Sequence, residues 1–592
     1  MASPTSASAP FFRMRSPVSQ ASTSRFHFPH WDSWTGSAVL IAVVLSLPIW
    51  VVLGSAFVDA RSTWQHLAST VLSTYVTNSL GLMVGVGIGT AIIGVGTAWL
   101  VTLCCFPGRR LFESALLLPL AAPAYILAYT YTDLLEYYGP IQTQLRQWFG
   151  WQTVQDYWFP NVRSLPGAIA LLTLVLYPYV YLLTRSAFLT QSTSLLEASR
   201  NLGCSPWRSF WTVTLPLARP AIAAGLSLAL METLNDFGTV EFFSVPTFTT
   251  GIYRTWFGMG DRLAASQLAA LLLLFVFGLL ALERLSRQQQ RYYQAGQGRA
   301  VSRYLLSGWR SLLAISACGL PIVLGFLLPA GVLMQLAMGN SSGGSSSGIS
   351  RDNVDFPSPS GSSAAIVQNT NDRFGEFASH SLLLALLTAA IAVLLSILLA
   401  YGQRLRPDNR WATQIATLGY AVPGAVIAVG VLVPLGQFDN AVDTWSRSTF
   451  GVSTGLLLSG TIAALVFAYL VRFLAVGFGA VESSLERIKP SLDDAARSLG
   501  CGTVSTLRRV HLPLMRGGLL SGLILVFVDV MKELPATLIV RPFNFDTLAV
   551  RVYNLASDER LAEAAAPALA IVVVGLLPVA LLSWQMGQDN RR

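Results

Sequence analysis

Long apolar blocks alternate along the chain with short polar stretches. GSAVLIAVVLSLPIWVVLGSAFV (36–58) and SLGLMVGVGIGTAIIGVGTAWLVTLCC (79–105) are both uninterrupted by charge. Each exceeds the roughly 20 residues that a helix needs to cross the hydrocarbon core of a bilayer. About twelve such blocks recur. Six lie near 36–58, 79–105, 111–134, 166–188, 217–240 and 264–283. Six more lie near 311–338, 380–402, 411–436, 455–480, 514–538 and 562–584. The pattern predicts an all-α, polytopic membrane protein of about 12 transmembrane helices in two tandem six-helix units. The fifth and eleventh blocks are the weakest, because each contains acidic residues.

Composition agrees with this picture and narrows it. Hydrophobic residues make up 53% of the chain and charged residues 12%, about half the charged share of soluble proteins. Mean hydropathy is +0.54, more than soluble cores could hide. The net charge of +9 gathers on no single domain, which speaks against nucleic acid as a partner. The arginines instead mark short loops: Arg109 and Arg110, the stretch from Arg284 to Arg310, Arg404 to Arg410, and Arg591 and Arg592. The positive-inside rule then puts both termini in the cytoplasm.

Around the spans, the sequence divides into a disordered cytoplasmic tail (1–35), a first six-span unit (36–284), a cytoplasmic linker (285–309) and a second six-span unit (310–586). The second unit carries a Gly/Ser/Pro-rich flexible outer loop at 339–379. The first apolar block is longer than a signal-peptide core, so it is expected to be retained as a span.

Only two of the basic residues are lysines, Lys489 and Lys532, and neither follows a glycine. A phosphate-cradling P-loop needs Gly-Lys-[Ser/Thr], so the chain carries no ATPase of that type. Cys104, Cys105, Cys204, Cys318 and Cys501 show no CxxC spacing and suit small apolar packing positions. The five histidines have no metal-ligand spacing, and no metal or cofactor is assigned to this chain. No Ser/His/Asp set or other catalytic constellation points to an enzyme.

The two halves repeat each other. EASRNLGCSPWRSFWTVTLP (197–216) returns 297 residues later as DAARSLGCGTVSTLRRVHLP (494–513). Phe248, Thr250, Arg254 and Asp261 likewise match Phe545, Thr547, Arg551 and Asp558. With six spans per half, both copies enter the membrane in the same sense, a parallel repeat. Each motif reads as a short helix opened by Glu197 or Asp494 and ended by Gly203 or Gly500. Ser205-Pro206 then reads as an N-cap and first-turn proline for a second short helix. Leu215-Pro216 and Leu512-Pro513 are expected to redirect the chain into the next span.

The spacing Glu-Ala-Ser-x3-Gly-x9-Val-x-Leu-Pro, and its Asp-Ala-Ala counterpart, resembles the EAA loop of binding-protein-dependent ABC importer permeases. Ser199 and Asp494 each depart once from the family's opening triplet. The resemblance covers nearly the whole chain as two fused permease units, multi-pass in a bacterial inner membrane. It implies that Glu197, Ala198, Gly203, Leu215 and Pro216, with Asp494, Ala495, Ala496, Gly500, Leu512 and Pro513, form two coupling loops. It further implies two copies of a cytoplasmic ATPase subunit, which bind the ATP and magnesium, and a periplasmic solute-binding protein. An ordinary amphipathic interfacial linker would account for one copy, not for two matched ones.

Residues 232–259, with DFGT-x-EFF and VPTFTTGIYRTWFG, resemble the ferric-iron branch of that family. Permeases for thiamine, sulfate or a phosphonate are the alternatives within the class. An ion-coupled secondary transporter is the alternative outside it, and would need no coupling loops. Glu232 and Asp236 stand four apart on the fifth span, and Asp529 and Glu533 repeat the spacing beside Lys532. Ionisable residues in a bilayer usually face the bundle interior or water. They are read either as lining a path for a hard cation, which prefers oxygen ligands, or as structural ties to Lys532 and nearby arginines. Pro119, Pro123 and Pro423 mark kinks, near a gate or generic.

Overall fold

The computed structural model describes residues 33–58, 61–191, 197–199, 201–288, 303–341 and 362–589. Among these, eleven helices are long and apolar enough to cross a membrane, and one bent pair supplies a twelfth crossing. The first half contributes Ser33–Ser55, Leu72–Leu103, the bent pair Arg109–Ala121 and Ala124–Phe149, Leu165–Thr190, Pro206–Asn235 and Arg262–Leu285. The second half contributes Trp309–Gly339, Arg373–Leu405, Gly424–Phe450, Ile462–Glu486, Thr503–Met531 and Leu561–Trp584.

Proline explains the breaks. The third apolar block is not one helix: it turns by 90° between Ala121 and Ala124. The ninth block divides in the same way, into Arg410–Ala416, a short turn at Leu418–Ala421 and Gly424–Phe450. Ala122 and Val422, which precede Pro123 and Pro423, are both extended (φ −103°, ψ 124° and φ −85°, ψ 128°). A residue before proline is pushed out of the helical region by the ring's Cδ. Each proline then heads the next helix, where its missing N–H leaves no gap.

The expectation that Leu-Pro redirects the chain is not met. Pro206–Asn235 and Thr503–Met531 run helically through Pro216 and Pro513. The turn before each proline is widened: the Leu215 N–H bonds the Phe210 carbonyl, and the Leu512 N–H bonds the Leu507 carbonyl. In an ordinary α-turn the proline ring would crowd the carbonyl four residues back. A five-residue turn removes that clash and lets the helix continue.

The fifth and eleventh helices also end earlier than the apolar pattern predicts, at Asn235 and Met531. The outer stretch read as a flexible loop to residue 379 is helical from Ser362 onward, continuous with the span to Leu405. Residues 342–361 lie outside the described residues, as do 1–32 of the tail and 289–302 of the linker. Within the described end of the linker, Tyr304–Leu305 pairs in parallel with Cys104–Cys105.

The halves exchange their first spans. Ser33–Ser55 packs on Arg410–Ala416 and Gly424–Phe450 of the second half, where Asn409 Nδ2 donates to buried Thr35 Oγ1 at 3.0 Å. Reciprocally, the Trp309–Gly339 span packs on Leu561–Asp589 and on the bent pair of the first half. There the Tyr131 hydroxyl donates to the Leu324 carbonyl.

Candidate functional site

Two features stand at opposite ends of the same helices. Both matched loops emerge at one end, and a charged cavity lies where Pro206–Asn235 and Thr503–Met531 finish. From Leu215 to Glu232 the helix rises about 25 Å.

The second loop shows how the sequence builds the motif. Its helix, Pro490–Ser498, starts four residues before Asp494, so Asp493 rather than Asp494 occupies the first turn. Proline at the first helical position explains the earlier start. Gly500 ends it at φ +78°, where a side chain would cost roughly 1–2 kcal/mol. The Gly500 N–H bonds the Arg497 carbonyl at 2.9 Å and the Cys501 N–H bonds Ala496 at 3.0 Å, the paired closure of a Schellman end. The first loop repeats it: Gly203 has φ +77°, and the Cys204 N–H bonds Ser199 at 3.1 Å. Ser205 caps the next turn by accepting from the Arg208 N–H at 3.3 Å.

In both loops the first two residues of the triplet (Glu197 and Ala198, Asp494 and Ala495) are exposed and the third (Ser199, Ala496) is buried. Leu202 and Leu499 are each 83% exposed. A large apolar side chain is thus held in water at the same point of both repeats. These leucines were visible in sequence only as repeat identities. Leu215, Pro216, Leu512 and Pro513 lie farther on, within the helices.

The second loop is tied down by residues that the motif does not contain. Arg404 donates to Asp493 at 2.9 Å and to the carbonyls of Leu485 and Ile488 at 2.7 and 2.9 Å. His511 Nε2 meets the other Asp493 oxygen at 2.6 Å. Partial burial works against ionisation of Asp493, but the hydrogen bond and charge of Arg404, with His511, outweigh it and hold the carboxyl below its usual range. In sequence, Arg404 reads only as a topology signal.

The cavity, of about 130 Å³, is lined by both halves. It brings together all four carboxylates singled out in the sequence: Glu232, Asp236, Asp529 and Glu533. Glu232 lies in the last turn of its helix, and Asp236 stands just past the end with extended backbone. The two are therefore not on one helical face. Asp236 instead caps the following short helix, accepting from the Thr239 hydroxyl at 2.9 Å and the Val240 N–H at 3.1 Å. Glu533 does the same for its own half, accepting from the Ala536 N–H at 3.2 Å. Lys532 pairs with Asp529 at 2.9 Å.

Arg472 is the residue that sequence reading missed. It sits inside an otherwise apolar span, 4% exposed. Its guanidinium approaches Glu533 at 3.3 Å and Glu232 of the other half at 3.9 Å. It also donates to Asn235 Oδ1 at 2.7 Å, an atom that accepts from the Gly424 N–H at 2.8 Å as well. Its counterpart at the 297 offset is Val175, which lines the same cavity. The signal was a lone arginine in the middle of an apolar block. Tyr125 completes the wall, its buried hydroxyl without a hydrogen-bond partner among the described residues. No group of three or more His, Cys, Asp or Glu poised to hold a metal ion occurs among the described residues.

A duplicated helical bundle with a matched loop on each half and one charged cavity between them has the architecture of a two-unit membrane permease. The chain belongs to the family described as binding-protein-dependent transport system inner membrane component, which it matches twice, over residues 106–288 and 392–588. It is a multi-pass inner membrane protein, with a permease rather than an enzyme fold. It is similar to the Fe(3+)-transport system permease protein FbpB 2 of Haemophilus influenzae, 27% identical over 566 residues, covering 92% of this chain and 96% of that one. The ferric transport system permease protein FbpB of Actinobacillus pleuropneumoniae is 23% identical over 526 residues, 87% of this chain and 71% of that one. The molybdenum transport system permease protein ModB of Escherichia coli is 32% identical over 201 residues, 33% of this chain and 84% of that one.

Proposed function

We propose that this chain is the complete membrane path of an ATP-driven importer of ferric iron, delivered by a periplasmic binding protein. Both termini and both loops face the cytoplasm on this reading, and the path closes at the central cavity. Likeness to a ferric permease along both units carries the reading. Two exposed loops of one design suit a motor of two ATPase subunits, each receiving one loop. ATP and magnesium then belong to those subunits.

An oxyanion cargo is the competing reading, favoured by the molybdenum permease relative of one unit. The cavity opposes it: four carboxylates stand against two cations, Arg472 and Lys532, a balance that repels anions. A cation passing through would meet oxygen ligands, which a hard metal ion prefers.

Radiolabelled ferric iron uptake, in cells lacking the gene and in cells with it restored, tests the reading. Uptake that falls on deletion and returns with the gene supports iron. Unchanged uptake in a strain without a second ferric system removes iron and leaves the permease class standing. Uptake that survives loss of the ATPase would point instead to an ion-coupled transporter.

A further inference from the structure

A second and larger cavity, about 770 Å³, opens beside the second coupling loop, between the spans Ile462–Glu486, Thr503–Met531 and Leu561–Trp584. Its mouth carries Arg487 and Lys489, both exposed and neither in an ion pair among the described residues. Its walls are rich in leucine, from Leu514 near the loop to Leu525 deeper in the bundle, and the Ser483 and Ser521 hydroxyls among them bond carbonyls of their own helices. Those eleven steps along the helix rise about 16 Å, half of the roughly 30 Å hydrocarbon core, which is the depth of one leaflet. Trp584, 65% exposed, stands at the rim, where indole rings prefer the headgroup level.

We infer that this groove holds one anionic glycerophospholipid, its phosphate at Arg487 and Lys489 and an acyl chain along the Leu514–Leu525 wall. Paired cations above a one-leaflet apolar slot complement that molecule at both ends, and basic pockets between spans bind such headgroups. A soluble partner would leave the apolar depth unfilled. The other half offers an internal comparison. Thr190 and Ser192 stand at the offset positions of Arg487 and Lys489, and Pro220 stands opposite Gly517. The groove's chemistry therefore belongs to one half only. Lys489 also stands immediately before the loop helix Pro490–Ser498, and Leu492 of that helix lines the groove. The lipid thus touches the loop itself, and its binding does not depend on what the permease carries.

Native mass spectrometry of the purified full chain, titrated with dioleoyl phosphatidylglycerol, tests the assignment. One lipid per chain should bind more tightly than all others. R487Q/K489Q should weaken that event about thirtyfold. G517F should weaken it as well while keeping both charges, because a side chain at Gly517 meets nothing within 4 Å and projects into the groove. R110Q, an exposed change at the same end of the bundle, should bind as the unaltered chain does. Dioleoyl phosphatidylethanolamine should not compete. If either R487Q/K489Q or G517F binds phosphatidylglycerol like the unaltered chain, or if phosphatidylethanolamine competes equally, the groove is not an anionic lipid site.

Discussion

Arg472 concentrates the physics of the site in one side chain. It is 4% exposed and in contact with Glu533, Asn235 and Glu232, so it ties its own half and the other together. Removing one partner of a buried pair leaves an uncompensated charge and costs about 3–5 kcal/mol. R472Q should therefore lower the thermal unfolding temperature sharply in detergent. R472Q/E533Q should recover part of that loss, because the stranded carboxylate is then neutral. If the double variant is no more stable than the single, Glu533 is not the charge that Arg472 balances. Transport asks a different question of the same cavity. D236N/E533Q removes both charges and leaves one acceptor oxygen at each capping position. On the proposed function it should cut iron uptake several-fold per assembled complex, beyond any loss of complex that comes from stranding Arg472; normal uptake per complex would make these carboxylates structural caps alone.

At the scale of elements, the loops turn on two features, a left-handed glycine and an exposed leucine. L202D/L499D changes two side chains that are each 83% exposed. It should abolish stimulation of the partner ATPase without lowering the yield of folded permease. Asp493 adds a pH dependence with a definite sign. Its carboxyl is held below the usual aspartate range, so the tie to Arg404 is complete above about pH 4 and fails as pH falls through the lowered value. D493N should thus loosen residues 490–499, read by amide exchange, throughout neutral pH. The difference from the unaltered chain should vanish only in strong acid. Much of this was legible beforehand. Gly500, Gly203 and the Ser205 cap follow from local backbone rules, so sequence is enough to find them. Pro216 and Pro513 were misread because the outcome depended on whether the preceding turn could widen, which the proline alone does not announce. Asp493, Arg404 and His511 lie 89 and 18 residues apart in sequence, and only packing brings them together. The carboxylates were found by their repeat, but their helix ends were not, because apolar residues resume beyond Asp236 and Glu533 and carry the pattern past each break.

Across the whole molecule, exchanged first spans make each half the completion of the other. Two fragments divided within the linker, between residues 288 and 303, should copurify when expressed together. Deleting the first span should destabilise the second half, whose Arg410–Phe450 region it covers; an intact second half would show that the packing is dispensable. Arg472 occupies in one half the place that Val175 holds in the other. A permease built from two copies of the second half would set two guanidiniums against each other on the axis, and one built from two copies of the first would have none. The gene's two repeats have become complementary parts, like a lock and a key cut from one blank. Neither can be replaced by a duplicate of its sibling, however well the two folds superpose.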